Sequence, residues 1–113
     1  MNISFYSFGR IRIDNKTLHH DIIINPDGSV LQWQRQQGHL LQNCDLEELL
    51  KQNPDLIIVG TGFWGAMKVS EEVEETLDSS DIEVYYLKSA AAVDLFNNTS
   101  STRKTALAIH LTC

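Results

Sequence analysis

The stretch Pro54-Asp55-Leu56-Ile57-Ile58-Val59-Gly60-Thr61-Gly62 constrains the fold of this chain more than any other. An unbroken apolar run, closed by a proline on one side and a glycine loop on the other, reads as a strand buried on both faces. Such strands belong to parallel sheets with other layers packed above and below them. The C-terminal end of the run opens into a loop, where open α/β sheets tend to hold their ligands.

The chain changes character near residue 40. Before it, residues alternate. Ile11 and Ile13 point one way and Arg10 and Arg12 the other, the period of a half-exposed strand. Asp14-Asn15-Lys16 marks a turn, Ile22-Ile23-Ile24 a second strand, and Pro26-Asp27-Gly28 another turn. Val30 to Arg35 makes a third strand, which gives an N-terminal antiparallel meander. After residue 40, helices and strands alternate. Asp45-Leu46-Glu47-Glu48 resembles a capping box that starts a helix ending near Gln52. Ser70 is expected to cap a Glu-rich helix, and Ser89 a second one over Ala90–Phe96 ended by Asn97-Asn98. Strands are expected at Ile82–Leu87 and Lys104–Thr112. In the last strand Leu107, Ile109 and Leu111 fill one face, and Ala106 and Ala108 leave room for a close helix on the other. The pattern predicts an α/β fold: a single three-layer β+α/β/α domain over residues 1–113, with a mixed central sheet and an N-terminal antiparallel meander. Right-handed crossovers are expected to place the two later helices on one side of the sheet, with the meander or the 45–52 helix opposite.

The 113 residues suit one core. A net charge of −6, with Arg103-Lys104 as the only adjacent basic pair, argues against a nucleic-acid surface. No apolar run reaches a membrane span, so no membrane role is expected. Met1-Asn2-Ile3-Ser4-Phe5 lacks the pattern of a secretory signal, and two cysteines cannot build a disulfide framework. A cytoplasmic, reducing location is therefore expected.

Gly60-Thr61-Gly62-Phe63-Trp64-Gly65 fits G-x-G-x-x-G, but a dinucleotide site needs the helix to begin inside the motif. Here the helix waits until Ser70 and opens with Glu71 and Glu72, which repel phosphate. No NAD, FAD or nucleoside triphosphate is expected, nor any other cofactor; the glycines instead allow a tight loop. His110 and Cys113 suggest a dyad or metal pair, but strand alternation turns them to opposite faces. No metal-ligand spacing is present. His110 is expected to be a buried, hydrogen-bonded histidine, and Cys113 structural or incidental. Phe63, Trp64 and Met67 lie in the loop after the buried strand, either folded back as core or displayed to a partner. Lys88, Ser89 and Arg103 flank strand ends, where they either hold a small anion over the Gly60 loop or serve as surface groups.

Several residues together resemble a known pattern: Gly9, Ile11, Asp21-Ile22, Trp33, Asp55–Ile58 with Gly60-Thr61-Gly62, Lys68-Val69, Ser89, Ala92, Asn97, Arg103 and His110-Leu111-Thr112-Cys113. The chain is similar to a small domain family first met in a methanogenic archaeon. That family includes the adipogenesis-associated domain protein and a mitochondrial complex I assembly factor. The chain departs from it with Ser89 for threonine and Phe96 for tyrosine. The resemblance implies a three-layer fold with a mixed sheet, no known catalytic residue, and a binding role.

Two functions follow as expectations. The first is a non-enzymatic protein-binding or assembly-type module, with a protein partner or a homodimer at Phe63, Trp64 and Met67. The alternative is a small-ligand or enzymatic domain with a cleft lined by Gly60, Thr61 and Gly62, with Lys88, Ser89 and Arg103 nearby.

Overall fold

The computed structural model describes residues 2–113. Its centre is a pair of parallel strands, β7 (Leu56–Thr61) and β10 (Thr105–His110), every residue of which is buried. A mixed five-stranded sheet grows from this pair in the order β5-β4-β10-β7-β9. Strand β9 (Glu83–Leu87) joins β7 in parallel. Strand β4 (Ile22–Ile24) runs antiparallel to β10, and β5 (Val30–Gln32) antiparallel to β4. The apolar run that dominates the sequence is thus an interior strand of a mixed sheet.

The helices lie on opposite faces, not on one side as expected. Helix α2 (Glu71–Asp78) carries the chain outward from β7 to β9. Helix α3 (Ser89–Thr99) carries it back across β7 to β10. Two right-handed crossovers that travel in opposite directions across a sheet land on opposite faces. On one face Ala92, Val93 and Phe96 of α3 pack with Ile22, Ile24, Ile58, Leu107 and Ile109. On the other, Val73 and Leu77 of α2 pack with Ile57, Val59, Ala106 and Ala108.

The N-terminal region divides between two sheets. Strands β1 (Ile3–Ser7), β2 (Arg10–Ile13) and β3 (Lys16–Leu18) form the antiparallel meander, whereas β4 and β5 join the central sheet. Asp14 and Asn15 have φ of 49° and 66°, the left-handed pair that closes a two-residue hairpin between β2 and β3. The meander buries Ile3, Ile11 and Ile13 on the α3 face. One outer edge of β1 is occupied by a side chain: Asn97 accepts from the Ile3 N–H at 2.8 Å and donates to the Ile3 carbonyl at 2.9 Å. This bond holds α3 to the meander, and the helix continues past Asn97-Asn98 to Thr99.

Ser70 caps α2 as expected, accepting from the Val73 N–H at 3.2 Å. The 45–52 region is different. Asp45 lies inside a 3-10 turn (Asn43–Leu46) followed by a short helix, α1 (Glu47–Leu50). Its carboxylate reaches back to the N–H groups of Gln42 and Gln36, at 2.9 and 3.2 Å, so it braces the preceding loop instead of capping the following helix. Two-residue strands β6 (Leu40–Leu41) and β8 (Lys68–Val69) pair beside it.

Ala106 and Ala108 are fully buried beneath Leu46, Leu49 and α2. Ala108→Leu would insert three carbons where the layers already meet. We expect it to lower stability by about 1–3 kcal/mol in urea unfolding. Leu31→Ala, at a position 46% exposed on the edge strand β5, should stay within about 0.5 kcal/mol of wild type.

Candidate functional site

At the C-terminal ends of β7 and β10 the chain closes on itself. The carbonyl of Leu111 accepts from Gly9 N–H at 2.9 Å and from the Tyr6 hydroxyl at 3.0 Å. The carbonyl of Thr112 accepts from Phe63 N–H at 2.7 Å, and that of Cys113 from Ala66 N–H at 3.0 Å. Residues 111–113 therefore tie the β1–β2 hairpin to the glycine loop. The N–H groups of Gly62, Phe63, Gly65 and Ala66 already serve the chain's own acceptors.

Each glycine of that loop has a packing reason. A Cβ on Gly60 would lie 2.7 Å from Ile109 Cγ1 and 3.0 Å from Ser89 Oγ. Gly62 has φ of +112°, and a Cβ there would approach the Cys113 carbonyl. Thr61 is buried, and its hydroxyl donates to the Leu87 carbonyl at 3.0 Å.

Ser89 is fully buried and does not cap α3; Lys88 stands at that position. Its hydroxyl accepts from Gly62 N–H at 2.9 Å and donates to the His110 carbonyl at 2.5 Å. It is a brace between the ends of β7 and β10, with no hydroxyl left for a ligand. Lys88 does stay beside the loop, its stem over Gly65. Arg103 does not. It precedes Thr105, which pairs with Leu56 at the far end of the sheet, and it forms an ion pair with Glu83 at 3.0 Å. The expected cleft over Gly60–Gly62 with both Lys88 and Arg103 is thus not assembled: Arg103 is roughly 17 Å away along the strands, and the loop is filled by residues 111–113. Surface clefts of about 420, 340 and 160 Å³ are lined by other residues.

What the closure does create is an aromatic surface. Phe63 packs edge-to-face on Trp64 with ring centroids 4.6 Å apart, and on Phe8 at 5.8 Å. Tyr6 follows at 6.4 Å. Trp64 is 66% exposed, Phe8 48% and Phe63 37%. Met67 is buried in the core under α2 and takes no part. Phe8, which the sequence reading passed over, arrives from the β1–β2 turn.

A second polar group was also invisible in the sequence. On the α2 face, His110 Nδ1 lies 2.7 Å from Asp21 Oδ2, and Arg35 forms an ion pair with the same oxygen at 2.8 Å. Asp21 Oδ1 accepts from Leu111 N–H at 2.7 Å. Arg35 also donates to the Gly38 carbonyl at 3.0 Å and lies over the Trp33 ring at 4.5 Å. The Trp33 indole N–H donates to the Asp45 carbonyl at 2.9 Å. The short contact to the carboxylate makes Nδ1 of His110 the protonated nitrogen, because one ring nitrogen cannot also accept from Arg35. His110 is thus the buried, hydrogen-bonded histidine expected, and Cys113 is exposed and carries no disulfide. Burial raises the Asp21 carboxyl pKa, but hydrogen bonds from His110, Leu111 and Arg35 outweigh it and hold the group below the ordinary carboxylate range. The signals in sequence were an acid directly before an all-apolar strand and an arginine on the same strand face as Trp33. Neither names a partner, since Asp21 and His110 are 89 residues apart. Among the described residues no group of three or more His, Cys, Asp and Glu side chains is arranged to hold a metal ion.

The chain belongs to a family of proteins of unknown function (DUF498/DUF598), whose pattern matches residues 3–110. Comparison with curated proteins gives no match. Among solved structures, the conserved hypothetical protein PH1505 from Pyrococcus horikoshii OT3 is similar at 28% identity and a TM-score of 0.93, over 100% of both chains. The protein MT938 is similar at 30% identity and a TM-score of 0.80, over 99% of this chain and 98% of that one. A protein of Bartonella henselae described as an outer membrane protein shares the fold at 20% identity and a TM-score of 0.82, over 98% and 94%. No helix among the described residues is long and apolar enough to cross a membrane.

Ser89→Ala strips Gly62 N–H and the His110 carbonyl of a buried partner, at a cost of about 1–3 kcal/mol in chemical denaturation. Gly62→Ala adds a strained φ and a clash with Cys113, and should cost about as much or more. For Asp21, the folded carboxyl binds its proton less readily than the unfolded one. Its contribution to stability is complete above the unfolded value of about 3.9 and is lost as pH falls through the lower folded value. Asp21→Asn should flatten that part of the acid-unfolding curve. At neutral pH it should cost about 3–5 kcal/mol, because Arg35 stays buried without a counter-charge.

Proposed function

We propose that this chain is a non-enzymatic protein-binding module, of the assembly type implied by its resemblance, that docks its partner on Phe8, Phe63 and Trp64. The exposure of three aromatic rings, with Phe8 and Trp64 each edge-to-face on Phe63, supports this reading: they lie together on a rigid base of backbone hydrogen bonds. Exposed aromatic groups of this kind supply large contact area at low entropic cost and dominate binding energies where they are covered. Lys88, whose stem lies over Gly65, borders the surface and forms no ion pair among the described residues, which suits a partner with acidic groups beside an apolar centre. A cytoplasmic setting is part of the proposal; Cys44 and Cys113 are both free and exposed.

The test is a pair of variants, Trp64→Ala and Phe63→Ser, compared with wild type by affinity capture from the native lysate and by sedimentation. We expect loss of a specific retained protein, or of self-association if the partner is a second copy, with the unfolding midpoint little changed. Wild type and variants that retain the same proteins and sediment alike would overturn the reading.

A further inference from the structure

Strand β9 is an outer edge of the central sheet, and among the described residues only β7 pairs with it. Two contacts fix the direction of its hydrogen bonds. Glu83 N–H donates to the Asp55 carbonyl at 3.1 Å, and the Leu87 carbonyl accepts from the Thr61 hydroxyl at 3.0 Å, so both residues turn inward. Backbone groups alternate in direction along a strand. Val84 and Tyr86 therefore point both N–H and C=O outward, and these groups have no partner among the described residues. Nothing in the strand blocks a further one. Glu83–Leu87 contains no proline, no lysine and no register shift, the usual guards of an open edge. By contrast, Asn97 occupies the β1 edge at Ile3, and the edge strand β5 is only three residues long.

The surroundings of this edge are acidic. Val84 and Tyr86 lie half-buried on the α2 face. There burial pushes the Tyr86 hydroxyl up, and the Glu74 and Asp78 carboxylates push it further. Asp81 leads into the strand and Glu83 begins it. Arg103 is held by Glu83 at 3.0 Å, and Lys88 lies past the other end with its stem over Gly65. On the α3 face, Tyr85 is exposed.

We propose that β9 binds an extended basic segment of another protein, which joins the sheet as a further, antiparallel strand. The residues of that segment opposite Val84 and Tyr86 exchange backbone hydrogen bonds with them and carry their side chains to the α2 face. Basic side chains at those positions meet Glu74 and Asp78, and the apolar residues between them lie against Tyr85. A second copy of this chain suits the edge poorly, because pairing β9 with itself would bring two acidic α2 helices side by side. The proposal goes beyond the aromatic surface and uses none of Phe8, Phe63 and Trp64, so either reading can fail alone.

The test is titration of the whole chain with the peptide acetyl-Lys-Val-Lys-Val-Lys-Val-amide, followed by amide nuclear magnetic resonance. The same peptide methylated on each lysine backbone nitrogen keeps the charge and loses the donors that face β9. A peptide with glutamate in place of lysine keeps the donors and reverses the charge. The expected result is saturable shifts at residues 83–87 with the lysine peptide, and slowed hydrogen exchange at the Val84 and Tyr86 N–H groups. Backbone methylation should weaken binding about tenfold or more, the scale of one or two lost hydrogen bonds. The double variant Glu74→Gln, Asp78→Asn, altered at two exposed positions, should weaken it about threefold. An equal response to the methylated or the glutamate peptide, shifts centred on α2 with no protection at Val84 and Tyr86, or no saturable change would overturn the proposal. So would concentration-dependent shifts at 83–87 without peptide, which would mean that a second copy takes the edge.

Discussion

Strands β7 and β10 have no residue in water, and the rest of the structure answers that fact. A two-faced apolar pair must be covered from both sides or it is not stable. The chain meets this demand by reversing direction: it leaves β7 outward through α2 and returns across it through α3. Because both crossovers share one hand, the reversal puts a helix on each face. The meander then completes the layer beside α3, and the turn and helix at 43–50 complete the layer beside α2.

The polar groups at the C-terminal ends of these strands follow from the same packing. Ser89 begins the helix that returns to the sheet, so its hydroxyl is delivered between β7 and β10, where two backbone groups need partners. Gly60 is small because Ser89 and Ile109 occupy the space a side chain would take. On the opposite face, His110 follows two alanines along the same side of β10. Its ring reaches Asp21 and Arg35, which the neighbouring parts of the chain bring from far away in sequence. Buried charge of this kind is a weak source of net stability but costs much to disrupt. It therefore holds the loop at 35–42 in one arrangement without adding to the core.

Much of the architecture was legible because it rests on periodicity. The run at 56–59, the alternation in 10–13 and the small residues at 106 and 108 each report which faces meet other layers. What was not legible depends on direction and distance. The helices landed on two faces because strand order, not local pattern, decides which way each crossover travels. Ser89 looked like a cap because a serine before a helical run usually caps it, but tertiary partners took its hydroxyl. G-x-G looked like a ligand loop, yet its glycines answer Ile109, Ser89 and Cys113. Arg103 and Lys88 both flank strand ends, and only the strand register reveals that these are opposite ends. Phe63 and Trp64 were recognisable as a choice between core and display, while Met67, four residues past Phe63, took the other branch. Asp21, Arg35 and Phe8 carried no local sign of the neighbours they would meet.

Asn97 bears on how this molecule survives at high concentration. Meander strands with an open side can recruit the same strand from another copy and grow into insoluble stacks. Here one carboxamide imitates a neighbouring strand at Ile3, offering an acceptor and a donor in the spacing a backbone would use. A register shift beside it, between Ile3 and Phe5, bends the strand away from the straight line that stacking requires. A single side chain from a helix thus acts as an end-stop on the β1 edge of the meander.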